Sequence, residues 1–231
     1  MVRARLASTV VLLKPREAGF EVLLTRRPQQ MKFLGGYYVF PGGAVRESDG
    51  APRTLGRCLG VEGAQARRLL GGAHSAETAL AHWVAAAREL FEEVGVLLCV
   101  NGDGSTPGSD GAGRLEAKRR ALARDELEFG EFLESEDLYC DLGRLAYFFH
   151  RVTPEFYPTR FDTRFYLAAL PENQTALERS EEVAGSLWID PKEALARARR
   201  HDFPLLPPTT TVLQEISRLT WAEIRSRYRL R

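Results

Sequence analysis

The segment from Ser75 to Gly95 constrains this chain more than any other. Ser75 suits an N-cap, Glu77 suits a first helical turn, and Gly95 stands where a glycine ends a helix. At 3.6 residues per turn, Ala87, Leu90, Phe91 and Val94 share one face. Glu89, Glu92 and Glu93 fall at i, i+3 and i+4 and cluster on the other. Like charges so placed repel by about 0.2–0.5 kcal/mol per pair, and the helix C-terminus disfavours anions. No Lys or Arg follows any of the three by four residues. Two readings stand at this point. The face is a solvated acidic stripe, or something outside the helix neutralises it. A divalent cation such as Mg²⁺ or Mn²⁺, which prefers oxygen ligands, would do so.

The rest of the chain alternates strand and helix signals. Ala7 to Leu13 is β-branched and apolar and reads as a buried strand rather than a signal peptide. Glu17 to Gly19 turns it into a second strand, Phe20 to Thr25. Arg26 to Gly36 is a basic loop, Tyr37 to Phe40 a short strand, and Pro41-Gly42-Gly43 a strong breaker. From about 50 to 74 scattered glycines mark an insertion, with a brief helix at Gln65 to Leu70. Further strands are expected at Val96 to Val100, Leu145 to Val152, Arg164 to Leu170 and Ser186 to Ile189. Further helices are expected at Arg114 to Leu133, at Pro191 to Arg200 behind the Asp190 cap, and at the C-terminus over about 211–228. Asn101 to Gly113 reads as a glycine-rich loop. Mixed elements without internal repeats argue for α/β layers in a single domain over 1–231.

Composition narrows the partners. A net charge of +1 gives no bulk field for nucleic acid or an anionic membrane. No apolar run reaches the roughly 18 residues of a membrane span. Cys58, Cys99 and Cys140 are far apart in sequence, odd in number and lack CxxC spacing. A disulfide framework or zinc site is therefore not expected, and a reducing, cytoplasmic setting fits. His74, His82, His150 and His201 are isolated in sequence and read as surface or capping residues.

Gly43, then Asp49, then Arg88-Glu89-Leu90-Phe91-Glu92-Glu93-Val94-Gly95-Val96 resembles the box of the Nudix hydrolase family. The second half matches at every defined position. Asp49 stands where the family has its first Glu, and the run from Asp49 to Arg88 is about thirty residues longer than usual. Upstream, Leu23-Leu24-Thr25 and Arg27, Lys32, Gly36 and Phe40-Pro41-Gly42-Gly43 are similar to the signature of the coenzyme A diphosphatase branch. Pro28 stands for Ser or Ala, and Lys32 for Arg. The divided box, with Arg160-Phe161-Asp162-Thr163 and Trp188, resembles members of that branch with a long box insertion.

The resemblance implies a Nudix-type α/β/α sandwich with a mixed sheet between helices. It implies that Glu89, Glu92 and Glu93, with the Gly43 carbonyl, hold Mg²⁺ or Mn²⁺. Glu182 would be a further carboxylate, Glu89 an alternative general base, and Arg88 the group that holds a carboxylate in place. Asp49 would pair or cap near Arg88. Arg27, Lys32, Gly36 and Phe40 are candidates for substrate binding, while solvated loop charge is the plain alternative for Arg27 and Lys32. The implied reaction cleaves a diphosphate linkage in a nucleoside diphosphate-linked compound. Coenzyme A or an acyl-coenzyme A would give 3′,5′-ADP and 4′-phosphopantetheine or its acyl form. ADP-ribose, NADH or a nucleotide sugar are alternatives, as is a non-catalytic nucleotide sensor. Family members are often homodimers, so self-association is an expectation too.

Overall fold

The computed structural model describes residues 2–30, 35–108, 112–181 and 183–230. Strand β1 (Arg5–Arg16) turns into β2 (Gly19–Arg26), and the two pair antiparallel with Leu13 opposite Val22, the expected hairpin. Two short strands follow, β3 (Tyr38–Val39) on β2 and β4 (Gly42–Ala44) on β1. Next come a 3₁₀ turn at Glu47–Gly50, α1 (Pro52–Leu55), β5 (Cys58–Leu59) and α2 (Gly63–Leu69). The long helix α3 (Ala76–Val94) leads to β6 (Cys99–Asn101), α4 (Ala112–Ala123), α5 (Phe129–Ser135) and β7 (Leu138–Asp141). The chain ends with β8 (Ala146–Val152), β9 (Phe161–Ala169), β10 (Gly185–Ile189), α6 (Pro191–Arg199), α7 (Pro207–Ile216) and α8 (Trp221–Tyr228).

The main sheet runs β10-β2-β1-β9-β8, and only β1 with β9 is parallel among its pairings. Its central strands are apolar on both faces because both faces are covered. Val10 and Leu12 of β1 point into a core with Trp83, Ala87 and Leu90 of α3. Val11 and Leu13 point the other way, against Leu195, Val212, Leu213 and Ile224 of the C-terminal helices. Period-2 alternation thus sends one strand's side chains into two cores, and the result is the expected α/β/α sandwich. A second sheet, β5-β7-β6, lies apart from the first.

Several elements differ from the sequence reading. The helix expected over Arg114 to Leu133 breaks into α4 and α5, because Asp125 takes a left-handed φ of 56° and Glu128 starts α5 with a capping box. The C-terminal helix also breaks, at Thr220, whose hydroxyl accepts from the Glu223 amide while the Glu223 carboxylate accepts from the Thr220 amide. The strand expected at Val96 to Val100 is shorter, since the Leu97 amide and carbonyl bond the Gln174 side chain, each at 2.8 Å, rather than a neighbouring strand. Strand β7 was not foreseen; four residues of mixed polarity carry little period-2 signal.

The inserted segment is more than a loose excursion. It supplies β5 to the second sheet, in parallel with β7, and packs α2 on α3 with Ala66 fully buried. The cysteines, distant in sequence, come together here: Cys58 and Cys99 both stand opposite Cys140. His82 also departs from expectation. It is fully buried, its Nδ1 lies 3.0 Å from Ser8 Oγ, and its ring lies 5.6 Å from that of His74. An apolar helix face selected the position, and Ser8 on β1 supplied a partner. Among the described residues, no helix is long and apolar enough to cross a membrane.

Burial, then the Arg164 charge, push the His82 pKa down to about 4. The folded state therefore holds His82 neutral, and the unfolded chain takes up its proton first as pH falls. Stability from this residue is full above about pH 6.5 and is lost between there and pH 4, by about 3 kcal/mol. Urea unfolding at pH 7.5, 6 and 4.5 should show a steeper acid loss in the native chain than in His82→Gln. Equal slopes would contradict the assignment.

Candidate active site

The site forms where β4 passes under the C-terminal half of α3. β4 pairs with β1 so that Thr9 faces Gly42, Ser8 faces Gly43 and Ala7 faces Ala44. Both glycines are compelled by close approach. A Cβ on Gly42 would sit 2.4 Å from the Ser8 carbonyl oxygen, and one on Gly43 would sit 2.5–2.7 Å from the Glu89 carboxylate. Gly43 is thus set by the carboxylate pressed on it, beyond any need of the turn itself. The Gly42 amide donates to Glu93 Oε2 at 3.3 Å, so the same turn also touches Glu93.

Arg88 holds the two halves together. Its Nε and Nη2 donate to the two oxygens of Asp49 at 2.8 and 3.0 Å. Nη2 also donates to the Ala44 carbonyl at 2.9 Å. Nη1 donates to Glu89 Oε1 at 2.8 Å and Glu92 Oε2 at 3.1 Å. The five donors of a guanidinium are thereby all satisfied. Arg88 and Asp49 are fully buried, as expected of a structural partner pair, and Asp49 also accepts the Arg46 amide at 2.8 Å. Burial works against the Arg88 charge, but Asp49, Glu89 and Glu92 outweigh it and raise its pKa.

Two of the three carboxylates of the acidic face are buried rather than solvated, and Glu93 is half-buried. Glu92 is 1% exposed and Glu89 is 7% exposed. Burial, opposed by Arg88 and aided by Glu89, pushes the Glu92 carboxyl up to about 7. A second arginine completes its surroundings. Arg46 Nη1 and Nη2 donate to the two Glu92 oxygens at 2.9 and 3.2 Å, and Arg46 also bridges Asp125 at 3.0 Å. Arg119 of α4, itself buried, donates to the Glu92 carbonyl near the helix C-terminus. Sequence reasoning missed both arginines, because it sought counter-charges only along α3. The signal available was a basic residue, Arg46, inside the first half-box.

Whether a metal fits can be judged from this donor set. Three carboxylates, Asp49, Glu89 and Glu92, share Arg88, and only Glu92 gains Arg46 as well. The surplus is negative and the donors are oxygens, which suits a hard divalent cation. Glu89 and Glu93, both against the Gly42–Gly43 turn, would hold it, and Glu92 would join by leaving Arg46. Among the described residues no three acidic, His or Cys side chains already stand in a metal's shell.

The remaining candidates divide. Arg27 is half-buried, and its Nε has no hydrogen-bond partner among the described residues although it is shielded from solvent. The Gly36 amide donates to the Arg27 carbonyl at 3.0 Å, which closes the loop beside it. Phe40 is 3% exposed and lies in the core with the C-terminal helices, so it anchors the turn from the core side. Lys32 and Glu182 lie outside the described residues. The Ala184 amide donates to the Arg26 carbonyl at 3.0 Å, which puts the start of β10 beside the end of β2.

A family model, the NUDT19 Nudix domain, matches residues 63–219, more than half of the chain. The chain belongs to this Nudix family. It is 29% identical over 224 residues to the acyl-coenzyme A diphosphatase NUDT19 of Gallus gallus, covering 82% of this chain and 59% of that protein. To the human protein of the same name it is also 29% identical over 224 residues, covering 84% of this chain and 60% of the relative. The chain thus spans well under two thirds of these relatives' length. Among solved structures, a Nudix hydrolase from Alicyclobacillus acidocaldarius superposes with a TM-score of 0.77 at 28% identity, over 98% of this chain and 97% of that one. The matched family region begins at α2, inside the inserted segment, and leaves the Phe40–Gly43 half-box upstream of it.

Because Arg88 is buried with three carboxylates around it, its removal leaves uncompensated buried charge. Arg88→Met should cost about 3–5 kcal/mol in urea unfolding, against about 1–3 kcal/mol for Asp49→Asn, which keeps a polar acceptor. A cost for Arg88→Met within 1 kcal/mol of zero would refute the clamp.

Proposed function

We propose that this chain hydrolyses a diphosphate linkage with the help of Mg²⁺ or Mn²⁺, and that its substrate is coenzyme A or an acyl-coenzyme A. The observation that carries the reading is the contact of Gly43 with the Glu89 carboxylate under the Arg88–Asp49 clamp. It joins two half-boxes far apart in sequence into one acidic site. The substrate class rests on the relatives named as acyl-coenzyme A diphosphatases and on the upstream Arg27, Gly36 and Phe40–Gly43 pattern.

A bound divalent ion supplies charge neutralisation at the diphosphate and lowers the pKa of a water. The protein's own groups do the rest. Glu89 and Glu93, on α3 against the glycine turn, would bind the ion together with Glu92, and Glu89 would alternatively accept a proton from the attacking water. Arg88 fixes the rotamers of Glu89 and Glu92 by hydrogen bonds to one oxygen of each. Arg27, whose shielded Nε has no partner among the described residues, would contact a substrate phosphate just beyond the end of β2. Lys32 and Glu182 are proposed to add a second phosphate contact and a further metal ligand.

Incubation of the protein with coenzyme A and Mn²⁺, followed by chromatography, should yield 3′,5′-ADP and 4′-phosphopantetheine. Glu93→Gln should lower kcat/KM by on the order of 100-fold or more, since each factor of ten is about 1.4 kcal/mol and a metal contributes several. Intact coenzyme A at every metal concentration would remove the substrate assignment. Equal turnover of native and Glu93→Gln chains across a diphosphate panel would remove the metal-site assignment.

A further inference from the structure

The three cysteines form a row that the proposed reaction does not use. Cys58 of β5 stands directly opposite Cys140 of β7 in a parallel pair, and Cys99 of β6 stands opposite the same Cys140 in an antiparallel pair. Residues directly opposite on neighbouring strands project to the same face of a sheet. The Cys140 amide donates to the Arg57 carbonyl at 2.8 Å and the Asp141 amide to the Leu98 carbonyl at 2.9 Å, which fixes both registers. All three are free thiols.

The row favours pairs over a trio. Adjacent strands are about 4.8 Å apart, so the outer two cysteines are separated by roughly 10 Å. One metal ion, with metal–sulfur bonds of about 2.3 Å, cannot reach all three. Directly opposed neighbours, in contrast, fall within the Cα separation of about 4.4–6.8 Å that a disulfide spans. Cys140 can pair with only one neighbour at a time. Cys99 and Cys140 are buried, whereas Cys58 is half-buried and so is the thiol that a reagent meets first.

We propose that Cys58 and Cys140 are an oxidisable pair that forms a disulfide by exchange with a low-molecular-weight disulfide, with Cys99 as a bystander. The Cys58 thiolate attacks one sulfur of the small disulfide, whose S–S bond breaks and releases one thiol. Cys140 then attacks the Cys58 sulfur of the mixed disulfide and releases the second thiol. Two protein thiols are oxidised, one small disulfide is reduced to two thiols, and the two protein protons end on the departing sulfurs. Hydrogen bonding to Cys140, then burial, push the Cys58 thiol up, so exchange is slow near neutral pH and quickens as pH rises.

The crosslink would fasten the inserted segment. Cys58 Sγ lies 3.2 Å from the Thr54 carbonyl, and the Thr54 hydroxyl donates to the Ser48 carbonyl at 2.7 Å, one residue before Asp49. A bond from β5 to β7 therefore ties down the stretch that carries Asp49 to Arg88.

The test is to incubate the reduced 231-residue chain with oxidised glutathione at pH 8.5, alkylate remaining thiols, and map peptides without reduction. The expected product has lost two hydrogens, links Cys58 to Cys140, carries alkylated Cys99, and melts about 5 °C or more above the reduced chain. Cys99→Ser should give the same linkage, and Cys140→Ser should stop at a glutathione adduct on Cys58. A Cys99–Cys140 linkage, a lasting glutathione adduct on the native chain, or full alkylation of all three thiols would overturn the proposal. The native chain's map decides by itself, whether or not Cys140→Ser folds.

Discussion

Everything around the candidate site depends on one buried guanidinium. Arg88 is enclosed by Asp49, Glu89, Glu92 and the Ala44 carbonyl, and no water-facing alternative exists for its five donors. A buried charge is tolerable only when fully paired. That requirement couples three parts of the chain: β4, the 3₁₀ turn at Glu47–Gly50, and the last turns of α3. The insertion between Asp49 and Arg88 can grow because its two ends are fixed by this contact, and loop closure costs little more as a loop lengthens.

The electrostatics follow from that enclosure. Three carboxylates on one arginine leave an acidic surplus in a poorly hydrated place. Arg46 relieves Glu92 from one side, and Arg119 satisfies the carbonyl end of the helix from another. Burial still holds the Glu92 carboxyl up near 7. Such a site combines oxygen donors, incomplete neutralisation and a glycine turn against Glu89 and Glu93. Those are the conditions under which a hard divalent ion is welcome.

The second sheet gives the inserted segment a structural purpose. β5 pairs with β7, α2 packs on α3, and the Cys58–Cys140–Cys99 row crosses all three strands. The segment is thus part of the same core as α3, with Ala66 and Leu70 among the residues buried there.

What the sequence determined by itself is local. Period 3.6 and its caps marked α3 from Ser75 to Gly95, a β-branched run marked β1, and short apolar or aromatic runs marked β2, β8, β9 and β10. The half-box motifs marked Gly43, Asp49, Arg88, Glu89, Glu92 and Glu93, and the structure gathers them. Only the tertiary structure decided how that charge is balanced, since Arg46 and Arg119 reach Glu92 from outside its helix. It decided the fate of His82, which looks isolated in sequence but meets Ser8 across the core. It turned Phe40 inward, broke two long helical patterns at Asp125 and Thr220, and aligned three distant cysteines. The physical reason is common to these cases. Propensity and periodicity act over a few residues, whereas charge pairing, strand register and burial are set by residues that only folding makes neighbours.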